Sequence, residues 1–219
     1  MADSSKTIKS FVLRQGRLTS GQSKALEELW PKFGRTICEG TFSAEQQFSS
    51  KGPVYLEIGF GMGDSLAEQA RSNPSANYLG VEVHRPGVGH LLMLIEKYRL
   101  RNLCIYFEDS IAVLTEVIPD RSLDVVQIFF PDPWPKKKHH KRRILKQEFT
   151  GLLQQKLKSG GIVHVATDWR PYAKEIKHVF ALNSKFTKIP APSRPQTKFE
   201  SRGVKLGHNI YDLAFKLLC

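Results

Sequence analysis

From residue 53 onward, short apolar runs alternate with amphipathic stretches, and this alternation constrains the fold more than any other feature. The runs 54–58, 78–83, 103–107, 123–130 and 162–166 read as strands. The stretches 64–71, 86–99, 111–118, 144–157 and 172–182 read as helices, the first with Asp64 placed as its N-cap. The run 123–130 is almost wholly apolar between Asp120 and Pro131, as expected of a strand buried on both faces. Strands separated by helices require right-handed crossovers, hence a mostly parallel, doubly wound sheet covered on both sides. A last strand at 209–217 is expected to pair with 186–189 as an antiparallel hairpin. Between them, 190–207 is polar, contains three prolines, shows no period and reads as a long functional loop. Upstream, a helix is expected from about Ser20 to Trp30, stopped by Pro31, with a loop over 34–52. The organisation expected is a basic N-terminal arm and short helix over 1–52 and an α/β domain over 53–219.

The first strand of the alternation runs into Gly59, Gly61 and Gly63 before the helix. Glycines in such a turn allow a sharp bend and the close approach of a ligand to the backbone. The pattern departs from the dinucleotide fingerprint, because Asp64 stands where its last glycine belongs. An acid there disfavours a pyrophosphate and suits a cofactor with a cationic amino-acid end. Glu82 follows Gly59 by 23 positions, at the end of the second strand, where a carboxylate can accept from ribose hydroxyls. Glu108 and Asp109 close the third strand, within reach of an adenine amino group. Acids after three successive strands line the sheet edge at which such folds bind ligands. Together they resemble the S-adenosyl-L-methionine (AdoMet) site of Rossmann-like class I methyltransferases.

After the fourth strand comes Pro131-Asp132-Pro133-Trp134-Pro135, in which three prolines stiffen the turn around Asp132 and Trp134. Six Lys and Arg then fall within residues 136–143, a run suited to phosphate contacts. The whole chain carries 33 Lys and Arg against 21 Asp and Glu, for a formal net charge of +12, which points to a polyanionic partner. Cys38, Cys104 and Cys219 lack metal-ligand or disulfide-framework spacing, so a reducing cytoplasm and no metal are expected. No apolar run reaches the length of a membrane span, and no secretion signal is expected at the N-terminus.

The Pro-Asp-Pro-Trp-Pro-Lys segment followed by His, Lys and Arg resembles the signature of bacterial tRNA (guanine-N7-)-methyltransferases. Residues 11–22, with Arg14-Gln15-Gly16-Arg17, resemble that family's basic N-terminal arm. Residues 57–64, 80–84 and Thr167-Asp168-Trp169 are similar to its core motifs, and 197–203 with Gly207-His208 to its C-terminal substrate motif. The resemblance implies AdoMet as cofactor, bordered by Glu57, Gly59, Gly61, Gly63, Glu82, Asp109 and Asp132. It implies substrate contacts from Lys136, Asp168, Thr197, Lys198, Phe199 and Glu200. It also implies a tRNA partner, methylation of the variable-loop guanosine at position 46, and a monomer or homodimer with no obligate protein partner.

Guanine N7 keeps a free lone pair at neutral pH, so no general base is required. The demands are orientation and a field that tolerates positive charge moving onto the base. Asp132 is the first candidate for the catalytic carboxylate and Asp168 the second; the alternative for Asp132 is to cap the Pro-rich turn. Trp134 either stacks on the base or plugs the turn. His164, in mid-strand, reads as a satisfied core residue. The rival readings are a methyltransferase for another substrate and a tRNA-binding protein without catalysis. A nicotinamide oxidoreductase is disfavoured by Asp64.

Overall fold

The expected alternation is realised around one eight-stranded sheet. The computed structural model describes residues 9–11, 16–48 and 50–219, so the arm residues Lys6, Arg14 and Gln15 lie outside the described residues. In chain order the elements are α1 (Ser20–Glu28), α2 (Trp30–Phe33), β1 (Gly34–Arg35), α3 (Ala44–Gln47), β2 (Val54–Ile58) and α4 (Asp64–Ser72). There follow β3 (Asn77–Val81), α5 (Arg85–Tyr98), β4 (Leu103–Tyr106), α6 (Ser110–Ala112) and β5 (Leu123–Phe129). The chain ends with α7 (Gln147–Lys156), β6 (Leu157–Thr167), α8 (Arg170–Ala181), β7 (Phe186–Ile189), α9 (Lys198–Lys205) and β8 (Tyr211–Leu217).

The strand order is β1-β4-β3-β2-β5-β6-β8-β7, parallel from β1 to β6 and antiparallel where β8 meets β6 and β7. The chain winds one way from β2 through β3 to β4 and the other way from β5, so the carboxyl ends of β2 and β5 flank a crevice. Side chains alternate between two cores. Leu56 and Leu79 join Val113, Phe149 and Tyr172 on one face, while Tyr55 and Tyr78 turn to Leu66, Leu91 and Ala25 on the other. Burying both faces explains why the central strands read as continuous apolar runs.

Four local expectations change. Pro31 opens the short helix α2 rather than merely stopping α1, because proline's missing N–H is free of cost in a first turn. The 34–52 loop contributes β1, which pairs with β4 at the edge of the sheet. Asp64 is the first residue of α4, not its cap; that place falls to Gly63, at φ 78°. The 190–207 segment contains α9, whose N-cap Thr197 and Glu200 form a reciprocal capping box. Thr-x-x-Glu is legible in the sequence, but the surrounding prolines and lack of period obscured it. Among the described residues, no helix is long and apolar enough to cross a membrane.

Candidate active site

The crevice at the switch point holds a cavity of about 440 Å³ lined by residues that follow four consecutive parallel strands. Gly59 and Gly61 come after β2, Glu82 and His84 after β3, Glu108 and Ser110 after β4, and Phe130 and Asp132 after β5. Ser10 and Phe11 of the N-terminal segment close it from another side.

The glycine turn needs its glycines. Gly59, Gly61 and Gly63 have φ of 75°, 59° and 78°, a region costly to residues with a Cβ. A Cβ built at Gly59 or Gly61 would meet nothing within 4 Å, so the turn leaves open space beside its backbone, whereas one at Gly63 would strike Leu91 at 2.8 Å. Glu82 fixes the turn to the next strand: its carboxylate accepts from the N–H groups of Gly61 at 2.8 Å, Val83 at 2.7 Å and His84 at 2.9 Å. Those three bonds leave about one of its four acceptor positions free.

Glu57 lies beneath the turn, 2% exposed, and does not line the cavity. Burial pushes its carboxyl up to about 8, opposed by the nearby Arg194 and reinforced by Glu82. It accepts from Gln69 at 3.4 Å, and Gln69 in turn accepts from Gln127 at 2.7 Å. Asp109 also stays off the cavity wall; it caps α6 by accepting from the Ile111 N–H at 3.0 Å, while its neighbours Glu108 and Ser110 face the space.

On the far rim, Asp132 lines the cavity, is exposed, and accepts no hydrogen bond among the described residues, so it caps nothing in the Pro-rich turn. The turn is held by Arg143, which the sequence grouped with the phosphate-binding run. Its side chain is 2% exposed, its Nε donates to Pro133 O at 2.8 Å, and its guanidinium pairs with Glu175 and lies 4.9 Å over the Tyr172 ring. A cation consumed in this way is not available to a phosphate. The turn carries strain, with Phe130 at φ 53° and Trp134 at φ 43°, each costing about 1–3 kcal/mol. Trp134 plugs it: the indole N–H donates to Ser10 O at 3.2 Å, His139 packs edge-on, and Arg142 sits 5.0 Å over the ring. Lys136, by contrast, is exposed at the start of the short 3₁₀ turn Lys137–Arg142.

The C-terminal motif reaches this rim from above. Lys198 pairs with Asp64 at 2.8 Å, beside the glycine turn, and Phe199 packs on Phe130 with ring centroids 5.1 Å apart. Thr197 and Glu200 are engaged in the capping box. None of these four residues lines the main cavity. Asp168 lies in a second, smaller recess of about 190 Å³ with Trp169, His208, Asn209 and Tyr211, and its carboxylate meets His208 Nδ1 at 3.0 Å. His164 is buried and bonded to Asp212 at 2.8 Å, as a core histidine should be. Among the described residues, no group of three His, Cys, Asp or Glu is placed to hold a metal. Arg194, and the inward role of Arg143, are the contributions that composition and spacing did not expose.

A family model described as putative methyltransferase matches residues 51–213. Among curated proteins, a tRNA (guanine-N(7)-)-methyltransferase of Alcanivorax borkumensis is 49% identical over 96% of this chain and 92% of its own. One of Idiomarina loihiensis is 49% identical over 96% of this chain and 89% of its own. Among solved structures, the 16S rRNA methyltransferase KamB aligns with a TM-score of 0.60 at 16% identity, covering 80% of this chain and 92% of that one. A SAM-dependent O-methyltransferase of Thermotoga maritima aligns at 0.54 and 17% identity, covering 80% of this chain and 63% of that one. At such identities the two structures speak for the class I methyltransferase fold alone.

Proposed function

This chain belongs to the bacterial tRNA (guanine-N7-)-methyltransferase family, and we propose that it methylates N7 of guanosine 46 in the tRNA variable loop, with AdoMet as methyl donor. The observation that carries the reading is the free carboxylate of Asp132 on the wall of a cavity whose opposite wall is an open glycine turn. The residues present fit the cofactor. Open space beside Gly59 and Gly61 admits a close ligand, and Glu82, Glu108 and Ser110 offer acceptors for sugar and base. The bound cofactor supplies a methyl group already activated by a sulfonium sulfur.

What the chain adds is placement and charge. Guanine N7 is already nucleophilic, so no residue has to remove a proton. Asp132, on the wall and unpartnered, is available to accept from the N1 and N2 donors of a guanine and to offset positive charge growing on its ring. Its position is rigid because Arg143 and three prolines fix the turn that bears it. The exposed cations Lys136, Lys137, Lys138 and Lys141 and the arm within 1–52 supply phosphate contacts, and the 53–219 domain supplies the chemistry. N7 lies in the deep groove of an A-form helix, so recognition rests on tRNA shape and an accessible loop base. A tRNA substrate sets the activity in the cytoplasm.

The test is to incubate the purified protein with AdoMet and an unmodified tRNA transcript, then locate methylated nucleosides by mass spectrometry. N7-methylguanosine at position 46 is the expected product. Methylation at another nucleoside, or AdoMet binding with no tRNA product, would defeat the assignment.

A further inference from the structure

The mechanism so far leaves the cation of Arg194 without a task. Arg194 precedes the C-terminal motif, in the polar stretch between β7 and α9, yet its side chain is only 5% exposed. It makes charge-assisted bonds in two directions. Toward the sheet, Nε and one terminal nitrogen donate to the two Asp212 oxygens at 2.9 and 2.7 Å, a paired geometry that only a planar guanidinium offers. Toward the motif, its other terminal nitrogen donates to Glu200 Oε2 at 2.6 Å. Asp212 is held in its turn by the buried His164 on β6, so the chain of contacts begins in the sheet core.

The far end of that chain stands at the site. Glu200 is the return half of the capping box that sets the first turn of α9. That turn presents Lys198 to Asp64 and Phe199 to Phe130, one on each rim of the crevice. The Arg194 guanidinium also lies 4.7 Å over the Phe129 ring and 5.8 Å over that of Phe130, the two residues that lead into the Asp132 turn. One side chain thus touches both the strand end that carries Asp132 and the helix start that carries Lys198 and Phe199.

We propose that Arg194 is a positioning residue for methyl transfer: acting through Glu200, it registers the 197–200 turn against the Asp132 turn. The proposal rests on the tRNA methylation reading. A displacement of about 1 Å at such a turn is enough to cost on the order of 100-fold in rate. The cofactor's glycine turn is held separately by Glu82, so AdoMet affinity should not depend on Arg194.

The decisive variant is Arg194→Lys, which keeps the positive charge but cannot span Asp212 and Glu200 together. Wild-type protein methylating tRNA sets the baseline; its failure to do so would remove the underlying reading, not this residue's role in particular. With that baseline present, R194K should bind AdoMet within about threefold of wild type, by titration, while kcat on tRNA falls at least about tenfold. A second arm uses Glu200→Ala, which removes the oxygen that accepts from Arg194 together with the return half of the capping box. R194K should cost little further kcat in the E200A background, because the path between the two is already cut. Wild-type kcat in R194K would overturn the proposal. So would losses that multiply fully in the double variant, since Arg194 would then act without Glu200, or a loss of AdoMet affinity matching the loss of kcat, since that is a general structural defect.

Discussion

On one rim of the cavity, the Glu82 carboxylate gathers three backbone N–H groups and leaves the glycine turn defined by main chain alone. On the other, the Asp132 turn and α9 are set by two arginines, Arg143 and Arg194, whose guanidiniums are bonded on several sides. The first device depends on backbone shape and one acid, and it leaves open space beside Gly59 and Gly61. The second depends on individual long side chains and pays for them in strain at Phe130 and Trp134. The difference teaches how each rim is held: the glycine rim by main chain gathered around one acid, and the Asp132 rim by long side chains reaching from distant parts of the chain.

The sharpest way to break this contrast is at Asp132. Asp132→Ala removes an exposed carboxylate with no structural partner, so folding should persist while kcat falls by about 100-fold or more, well beyond any loss of AdoMet affinity. Single-turnover methylation beside an AdoMet titration checks it, and an undiminished rate would leave that carboxylate without a catalytic role. Next comes Arg143→Ala, which strips the turn of its staple and leaves Glu175 unpaired; a loss of about 3 kcal/mol is expected in urea unfolding. A change under about 0.5 kcal/mol would mean that the prolines hold the turn unaided.

The two rims also differed in how far the sequence exposed them. The glycine turn, the acids after the strands and the parallel topology could all be read, because each follows from local spacing: strand, glycines, helix, acid. The hairpin of β7 and β8 was equally legible. Arg143 was not, because Lys136, Lys137, Lys138 and Lys141 of the same run are exposed and nothing local distinguishes the cation that turns inward to Glu175, 32 positions away. Arg194 was hidden for the same reason: its partners Asp212 and Glu200 come together only when β8 has paired with β6. Asp109 illustrates a subtler limit, in that the strand end was correctly placed but one residue's offset decides whether 108 or 109 faces the cavity. Periodicity reports elements, and long-range ion pairs lie beyond it.

Beneath the glycine turn, Glu57 offers a test of how the main-chain rim is supported. Its folded carboxyl sits at about 8 against 4.5 for an ordinary one, so the folded state favours the protonated form. Its contribution to stability is therefore fully present below about pH 4.5 and is lost as pH rises toward 8. Glu57→Gln mimics the neutral form and should flatten that part of the curve, making the variant's Tm relative to wild type rise between pH 5 and about 8. A Tm difference independent of pH would show that Glu57 is ionised in the fold and that burial does not govern it.

The smallest effect expected separates two cations of the same run. Lys138 is exposed and Arg143 is buried in its ion pair. If the exposed members contact tRNA phosphates, Lys138→Ala should weaken tRNA binding only a few-fold at moderate salt and lower the slope of log K against log salt by about 0.7–0.9. Arg143→Lys should leave that slope where it is, since the residue it replaces neutralises Glu175 and no phosphate. Filter binding across a salt series resolves the two. Equal slopes in both variants and wild type would remove the run from the tRNA interface; an equal fall in both would mean that Arg143 leaves Glu175 to meet the RNA, and the side-chain rim would then be remade on binding.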